Sequence, residues 1–341
     1  MEVLKAFAMQ YEVLLILISV MLISGGLKET NAGGSLYSLF SRYLRSPKWL
    51  LALFSAFLGI VPIPGRIIAT CGVLDSLRDK TKESPKMGIV AYLSSHHYYL
   101  WSPLEKSIII TCGVLGLTYY QFMSYMLIPA LITFAFCMVY IGFFVKQDEI
   151  HFGPVPEKVS GRSIFSILTL VGVLVAGACQ VPMLPLMAGC AAFLMLINRK
   201  SINFKKVYTF LDWKVLLVAA GALLLASVVG CYSKLIVEFV KSHAGQLSLP
   251  AIVCLSFFAS FVMGSSAKFA AMTGALCLIY GLQYLPLFYL VDYCGYLVSP
   301  SHKCLPIAQQ YFKTPVLELS KVLGIEALIL TVYGTIAIIF G

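Results

Sequence analysis

The stretch Tyr296-Leu297-Val298-Ser299-Pro300-Ser301-His302-Lys303-Cys304 sets a proline, a histidine and a lysine inside an apolar run from about Leu285 to Ala308. Earlier the chain reads Tyr99-Leu100-Trp101-Ser102-Pro103-Leu104-Glu105-Lys106. The shared frame is Tyr-Leu-x-Ser-Pro-x-x-Lys, at an offset of 197 (303 minus 106). Proline has no N–H to donate, so each copy predicts a break in an apolar helix. A broken helix carrying a cation, present twice, points to a membrane transporter made of two related halves.

Composition supports the membrane half of that reading. Of 341 residues, 60% are hydrophobic and 12% charged, and the mean hydropathy is +0.89. A soluble domain carries about a quarter charged residues. The apolar stretches from Leu14 to Phe340 recur near the roughly 20 residues that span a bilayer. The net charge of +10 comes from basic residues that mostly flank apolar segments. Orientation by the positive-inside rule accounts for them, and no nucleic-acid partner is expected. The ten cysteines are scattered with no C-x-x-C pair and read as small packing residues. Residues 1–27 read as a transmembrane helix rather than a cleaved signal, because Gly25-Gly26-Leu27 makes a poor cleavage site.

The chain divides into 1–145, a linker region 146–206 with two connecting helices, and 207–341. The first part holds an apolar segment 49–77 interrupted by Pro62-Ile63-Pro64-Gly65-Arg66, then the broken segment 87–119. The last part holds 249–280, interrupted at Gly264-Ser265-Ser266-Ala267-Lys268, then the broken segment 285–312. At an offset of 202 (268 minus 66), Arg66 falls on Lys268 and Gly72 on Gly274. Two shared features in the same order predict a duplication.

Charge predicts the relative orientation of the copies. Both loops flanking 49–77 are basic and belong inside, so the segment enters and leaves on one side as a re-entrant hairpin. Its arms, about 14 and 12 residues at 1.5 Å each, reach the middle of a roughly 30 Å core without crossing it. About five crossings separate the starts of the two copies, an odd number, so the second copy is inverted. The expected fold is an all-α polytopic membrane protein. It has two inverted repeats, about eight transmembrane spans plus two re-entrant hairpins, and broken helices at the midplane. Both termini are expected outside a multi-pass cytoplasmic (inner) membrane protein.

A basic side chain near the bilayer centre costs on the order of 3 kcal/mol, so those at the breaks need a reason. Arg66, Lys106, Lys268 and Lys303 each lie at or near the start of a half-helix, whose free N–H groups already favour an anion. Together they predict an electropositive cavity for a small anionic substrate. The alternative is that the lysines reach the interface or pair internally, as Lys106 would with Glu105. Gly65 and the hydroxyls of Ser102, Ser265, Ser266, Ser299 and Ser301 sit at the same breaks. They orient an oxyanion or simply cap half-helices. His302, Asp292 and His97 are the candidate proton carriers, each weighed against a structural role. His96-His97 lacks a nearby Cys, Asp or Glu at ligand spacing, so no metal site is expected there. Without a Walker loop, a nucleophile elbow or an H-E-x-x-H run, neither ATP drive nor hydrolysis is expected, and no cofactor.

Ser299-Pro300-x-His302-x-Cys304-Leu305 with Tyr311-Phe312 resembles the second-half signature of an uncharacterised family of prokaryotic integral-membrane permeases. Leu58-Gly59-x-Val61-Pro62-x-Pro64-Gly65 is similar to its first-half hairpin, and His96 or His97 with Trp101 and Pro103 to its His- and Trp-rich segment. That family is similar in layout to the ion transporter superfamily of arsenite permeases, sodium/proton antiporters and divalent-anion symporters. The resemblance implies inverted repeats, hairpin tips meeting broken helices, a homodimer and elevator-type alternating access. Arg66 departs from the small residues of that pattern, and cations at such positions can replace a bound sodium ion. The expected function is secondary transport of a carboxylate or inorganic oxyanion, proton-coupled or by exchange. A sodium or other cation/proton antiporter is one alternative. A membrane-embedded enzyme or lipid-handling protein is another.

Overall fold

The computed structural model describes residues 2–8, 11–30, 46–58, 67, 70–71, 74, 84–146, 164–165, 168–169, 171–172, 181–199, 202–231, 248–302 and 304–340. Every regular element among them is helical. In chain order these are α1 (Glu2–Ala8), α2 (Tyr11–Glu29), α3 (Pro47–Leu58), α4 (Lys86–Ser94), α5 (Lys106–Leu115) and α6 (Tyr119–Phe144). There follow α7 (Met183–Ile197), α8 (Phe204–Tyr208), α9 (Trp213–Cys231), α10 (Leu249–Met263) and α11 (Ser266–Tyr280). The chain ends with α12 (Leu285–Leu297), α13 (Cys304–Phe312) and α14 (Val316–Phe340). Short 3-10 turns occupy His97–Leu100 and Leu282–Tyr284.

Two of the described helices, Tyr119–Phe144 and Val316–Ile339, are long and apolar enough to cross a membrane. At 1.5 Å per residue, α6 is about 39 Å long and exceeds a roughly 30 Å hydrocarbon core. Its start is set by a capping box: Thr118 Oγ1 accepts from the Gln121 N–H, and Gln121 returns a bond to the Thr118 N–H. Phe122, Met126, Ala130, Cys137 and Ile141 face inward, while Leu127, Leu131, Val139 and Phe143 are exposed. α14 repeats the pattern, with Leu319, Leu323, Ala327 and Leu330 inward and Leu317, Leu328, Val332 and Ile339 outward. An outer face this apolar suits lipid rather than water.

The two long helices touch each other, and the remaining helices pack beside them and on one another. α12 packs against α10, α11 and α14, α5 packs against α11, and α13 against α4. α2 lies on α7 and α8, and α1 on α9. Gly88 near the start of α4 sits against the Ala308 carbonyl of α13 and against Thr314, two residues past its end. Thr314 Oγ1 also donates to the Pro85 carbonyl at 2.6 Å. The two broken segments therefore run in opposite directions.

In the last part of the chain the helix ends fall at the interruptions read from the sequence. α10 and α11 occupy 249–280 on either side of Gly264-Ser265, and α12 and α13 occupy 285–312 on either side of Ser299-Pro300. The first break is wider than the Ser102-Pro103 kink foreseen, spanning Ser95–Glu105 with a 3-10 turn inside it. The tip of the first hairpin and the basic stretch around 36–44 lie outside the described residues, as does most of the linker.

Candidate functional site

Short local bonds hold the described backbone of each break, as buried peptide groups require partners. In the first, the Ser102 N–H donates to the Tyr98 carbonyl at 2.9 Å and the Glu105 N–H to the Ser102 carbonyl at 2.9 Å. Ser102 Oγ accepts from the Leu104 N–H at 3.3 Å. In the second, the His302 N–H reaches the Ser299 carbonyl and the Leu305 N–H the His302 carbonyl, each at 3.1 Å. Ser299 Oγ accepts from the Ser301 N–H at 3.1 Å and donates to the Phe261 carbonyl near the end of α10. Ser102 and Ser299 thus serve the fold first.

The hairpin tip closes on the second break. Gly264 ends α10 in the left-handed region at φ 52°. A Cβ there would lie 2.8–3.0 Å from the backbone and side chain of Ser301. Glycine is required on both counts. Ser265 then holds the N-cap position of α11 without a side-chain cap bond, and Glu105 does the same for α5.

α5 and α11 lie side by side and point the same way. Thr111 Oγ1 reaches the Ala270 carbonyl at 3.5 Å, and three to four residues on, Val114 packs onto Gly274 with no room for a Cβ. Their N-terminal ends are therefore level. Lys106 is the first residue of α5 and half-buried, and Lys268, in the first turn of α11, is exposed. Ser265 and Ser266 are half-buried at the same end, and Ser301 is exposed against the tip. Gly65, Arg66 and Lys303 lie outside the described residues.

A buried aromatic and imidazole cluster joins the two breaks. Tyr99 and Tyr296, the matching tyrosines of the two frames, share a hydroxyl–hydroxyl bond of 2.6 Å. Tyr293 Oη donates to the His96 carbonyl at 3.3 Å, a pair with the same separation of 197. Tyr92 Oη donates to the Leu297 carbonyl at 2.6 Å, and its counterpart Tyr289 Oη donates to the Tyr99 carbonyl at 2.8 Å. His302 lies between Tyr92 Oη (3.1 Å from Nδ1) and Tyr296 Oη (2.9 Å from Nε2). None of these tyrosines was singled out by the sequence reading of the site. The signal was present: Tyr92 and Tyr99 recur as Tyr289 and Tyr296 at the offset of the shared frame.

The other two candidate proton carriers, His97 and Asp292, fare differently from each other. His97 donates from Nε2 to the Ser55 carbonyl at 3.2 Å and accepts from the Trp101 indole at Nδ1 at 2.9 Å. Those bonds are those of a fixed, neutral, structural histidine. Asp292 is fully buried in α12. One of its oxygens accepts from Ser256 of α10, the other from Thr273 of α11 at 2.6 Å. The carboxylate therefore ties both hairpin arms to the broken helix. Ser256 and Thr273 are functional candidates that spacing alone did not reveal. Glu326 of α14 is also buried, with one oxygen lacking a hydrogen-bond partner among the described residues.

A cavity of about 560 Å³ runs along α5, lined by Glu12, Pro103, Ile109, Cys112, Tyr119 and Pro182 among others. Its lining includes the acid Glu12, the hydroxyls of Thr118, Tyr119 and Tyr120, and none of the expected binding residues.

The citrate transporter family matches residues 2–288. The chain belongs to that family. No individual curated protein matches it. Membership makes the chain an integral-membrane secondary transporter of the anion-carrying kind, and sets aside the reading as an enzyme. The resemblance to permeases of the ion transporter superfamily is borne out at that level.

Proposed function

We propose that this member of the citrate transporter family carries citrate or a closely related polycarboxylate, coupled to protons, with the anion seated at the level N-terminal ends of α5 and α11. The carrying observation is that common direction. It brings two lysines in first turns, and two helix starts without side-chain caps, to one end of a packed pair. Free N–H groups, aligned dipoles and ammonium groups all favour negative charge. The hairpin tip at Gly264 and the second break at Ser301 close the same region. Ser265, Ser266 and Ser301 would orient carboxylate oxygens, and Arg66 and Lys303 would add charge from the two remaining break segments.

Asp292 would carry the coupling proton. A carboxyl buried this deeply is costly when charged, and its hydroxyl partners on both hairpin arms make its protonation state felt at the tip. Residues 1–145 and 207–341 would be the inverted repeats. In favour stand the antiparallel course of the broken segments and the contacts between matching positions, Tyr99 with Tyr296 and His96 with Tyr293, expected near a two-fold axis. A homodimer with elevator-type movement follows from the superfamily layout.

Uptake of labelled citrate into proteoliposomes under an inwardly directed proton gradient tests the reading. Each of Lys106→Gln and Lys268→Gln should raise KM by on the order of tenfold or more, since a hydrogen bond to a charged group is worth about 1.5–3 kcal/mol. Asp292→Asn should keep citrate exchange but lose acceleration by the gradient. Unchanged KM in both lysine variants would remove the proposed seat, and gradient-driven uptake by Asp292→Asn would remove the proton carrier.

A further inference from the structure

We propose that His96, His302 and Cys304 bind one soft divalent metal ion of the zinc type, which staples the two helix breaks together. Their ligand atoms all lie within 4.8 Å of one another. His96 follows the end of α4 in the first break, His302 ends the second break, and Cys304 opens α13.

Hydrogen-bond accounting fixes both imidazoles. His96 Nδ1 stands 2.6 Å from the Tyr92 carbonyl, which can only accept, so Nδ1 carries the proton. The Tyr92 hydroxyl spends its own proton on the Leu297 carbonyl, so at its 3.1 Å contact with His302 it accepts, and His302 Nδ1 carries that proton. In the neutral rings, each Nε2 then presents a lone pair. These two nitrogens face each other at 3.4 Å. The Tyr296 hydroxyl, 2.9 Å from His302 Nε2, can turn its proton to Tyr99 at 2.6 Å, which leaves one cation room to take both lone pairs.

The spacing selects the cation. Nitrogens bound to zinc at 2.0–2.1 Å in a tetrahedron stand about 3.3–3.4 Å apart. The thiol of Cys304 supplies a soft third ligand after a modest rotation. A fourth position remains beside the Tyr296 hydroxyl, 2.9 Å from His302 Nε2. Metal-bound histidines also donate their second N–H to a carbonyl or similar acceptor, which fixes the ring. Tyr92 does this for both, through its carbonyl for His96 and its hydroxyl for His302. Sequence spacing around His96-His97 offered no third ligand because Cys304 arrives from the opposite half of the chain.

The test uses full-length protein purified in detergent without a metal-affinity step. Its zinc content is measured by mass spectrometry, and the chelator-treated protein is titrated with zinc chloride by calorimetry and with cobalt(II) by visible absorption. One zinc per chain is expected, with affinity at least tenfold weaker in His96→Gln and in Cys304→Ser. The cobalt-loaded protein should show a thiolate charge-transfer band that Cys304→Ser lacks, with unchanged circular dichroism to exclude a folding defect. Wild-type protein that binds no zinc, with the histidine pair sharing only a proton, would overturn the proposal. So would zinc affinity indifferent to both substitutions, or a charge-transfer band surviving in Cys304→Ser.

Discussion

At the scale of single residues, Tyr92 holds more of the centre than any charged group. Its hydroxyl is buried, donates to Leu297 and accepts from His302. Tyr92→Phe keeps the ring but strands a carbonyl and an imidazole N–H in the interior. Such a loss costs about 1–3 kcal/mol. A lowered unfolding midpoint in detergent is the expected result, and an unchanged one would mean that water replaces the hydroxyl. The sequence picked out charges and serines at the breaks, because those are anomalous in apolar segments. It passed over the tyrosines, because an aromatic residue in a membrane helix is ordinary. Asp292 was legible as a deep acid, but its Ser256 and Thr273 partners come from separate helices and depend on the packing of three elements.

At the scale of elements, the interruption between α10 and α11 was readable in the sequence. Gly264-Ser265 ends one helix with a left-handed glycine and starts the next. The first break was read too narrowly. Pro103 marks a place where a helix cannot continue, yet the chain leaves the helix at Ser95, before any proline. There the bonds of His96, His97 and Tyr99 to other segments outweigh helix propensity, and a local pattern does not record them. Gly264→Ala tests the tip. A left-handed conformation costs an alanine about 1–2 kcal/mol, and the added methyl also meets Ser301. Citrate uptake should fall severely while α6 and α14 keep the protein in the membrane. Full uptake would show that the tip does not need to rest on the second break.

At the scale of the whole molecule, the two copies of the Tyr-Leu-x-Ser-Pro frame were the most informative feature of the sequence, and their tyrosines meet in space. The number of spans was less legible. Several apolar helices, such as α4, α5, α12 and α13, are too short to cross alone, and two of the described helices have the length of a full span. Orientation can be measured directly. With both termini outside and the basic loop inside, Lys5→Cys should react with a membrane-impermeant maleimide added to whole cells. Lys205→Cys, on exposed α8 of the basic loop, should react only after permeabilisation. The opposite pattern would reverse the topology, and equal labelling of both would remove the inverted arrangement.

The two breaks are not equals. Ser95–Leu100 and Ser102–Glu105 are buried, whereas Pro300 and Ser301 of the second break are exposed. The first frame is thus sealed among helices, while the second keeps part of its backbone uncovered. If the proposed seat holds the anion, a solute arriving there would meet Ser301 before any residue of the first break.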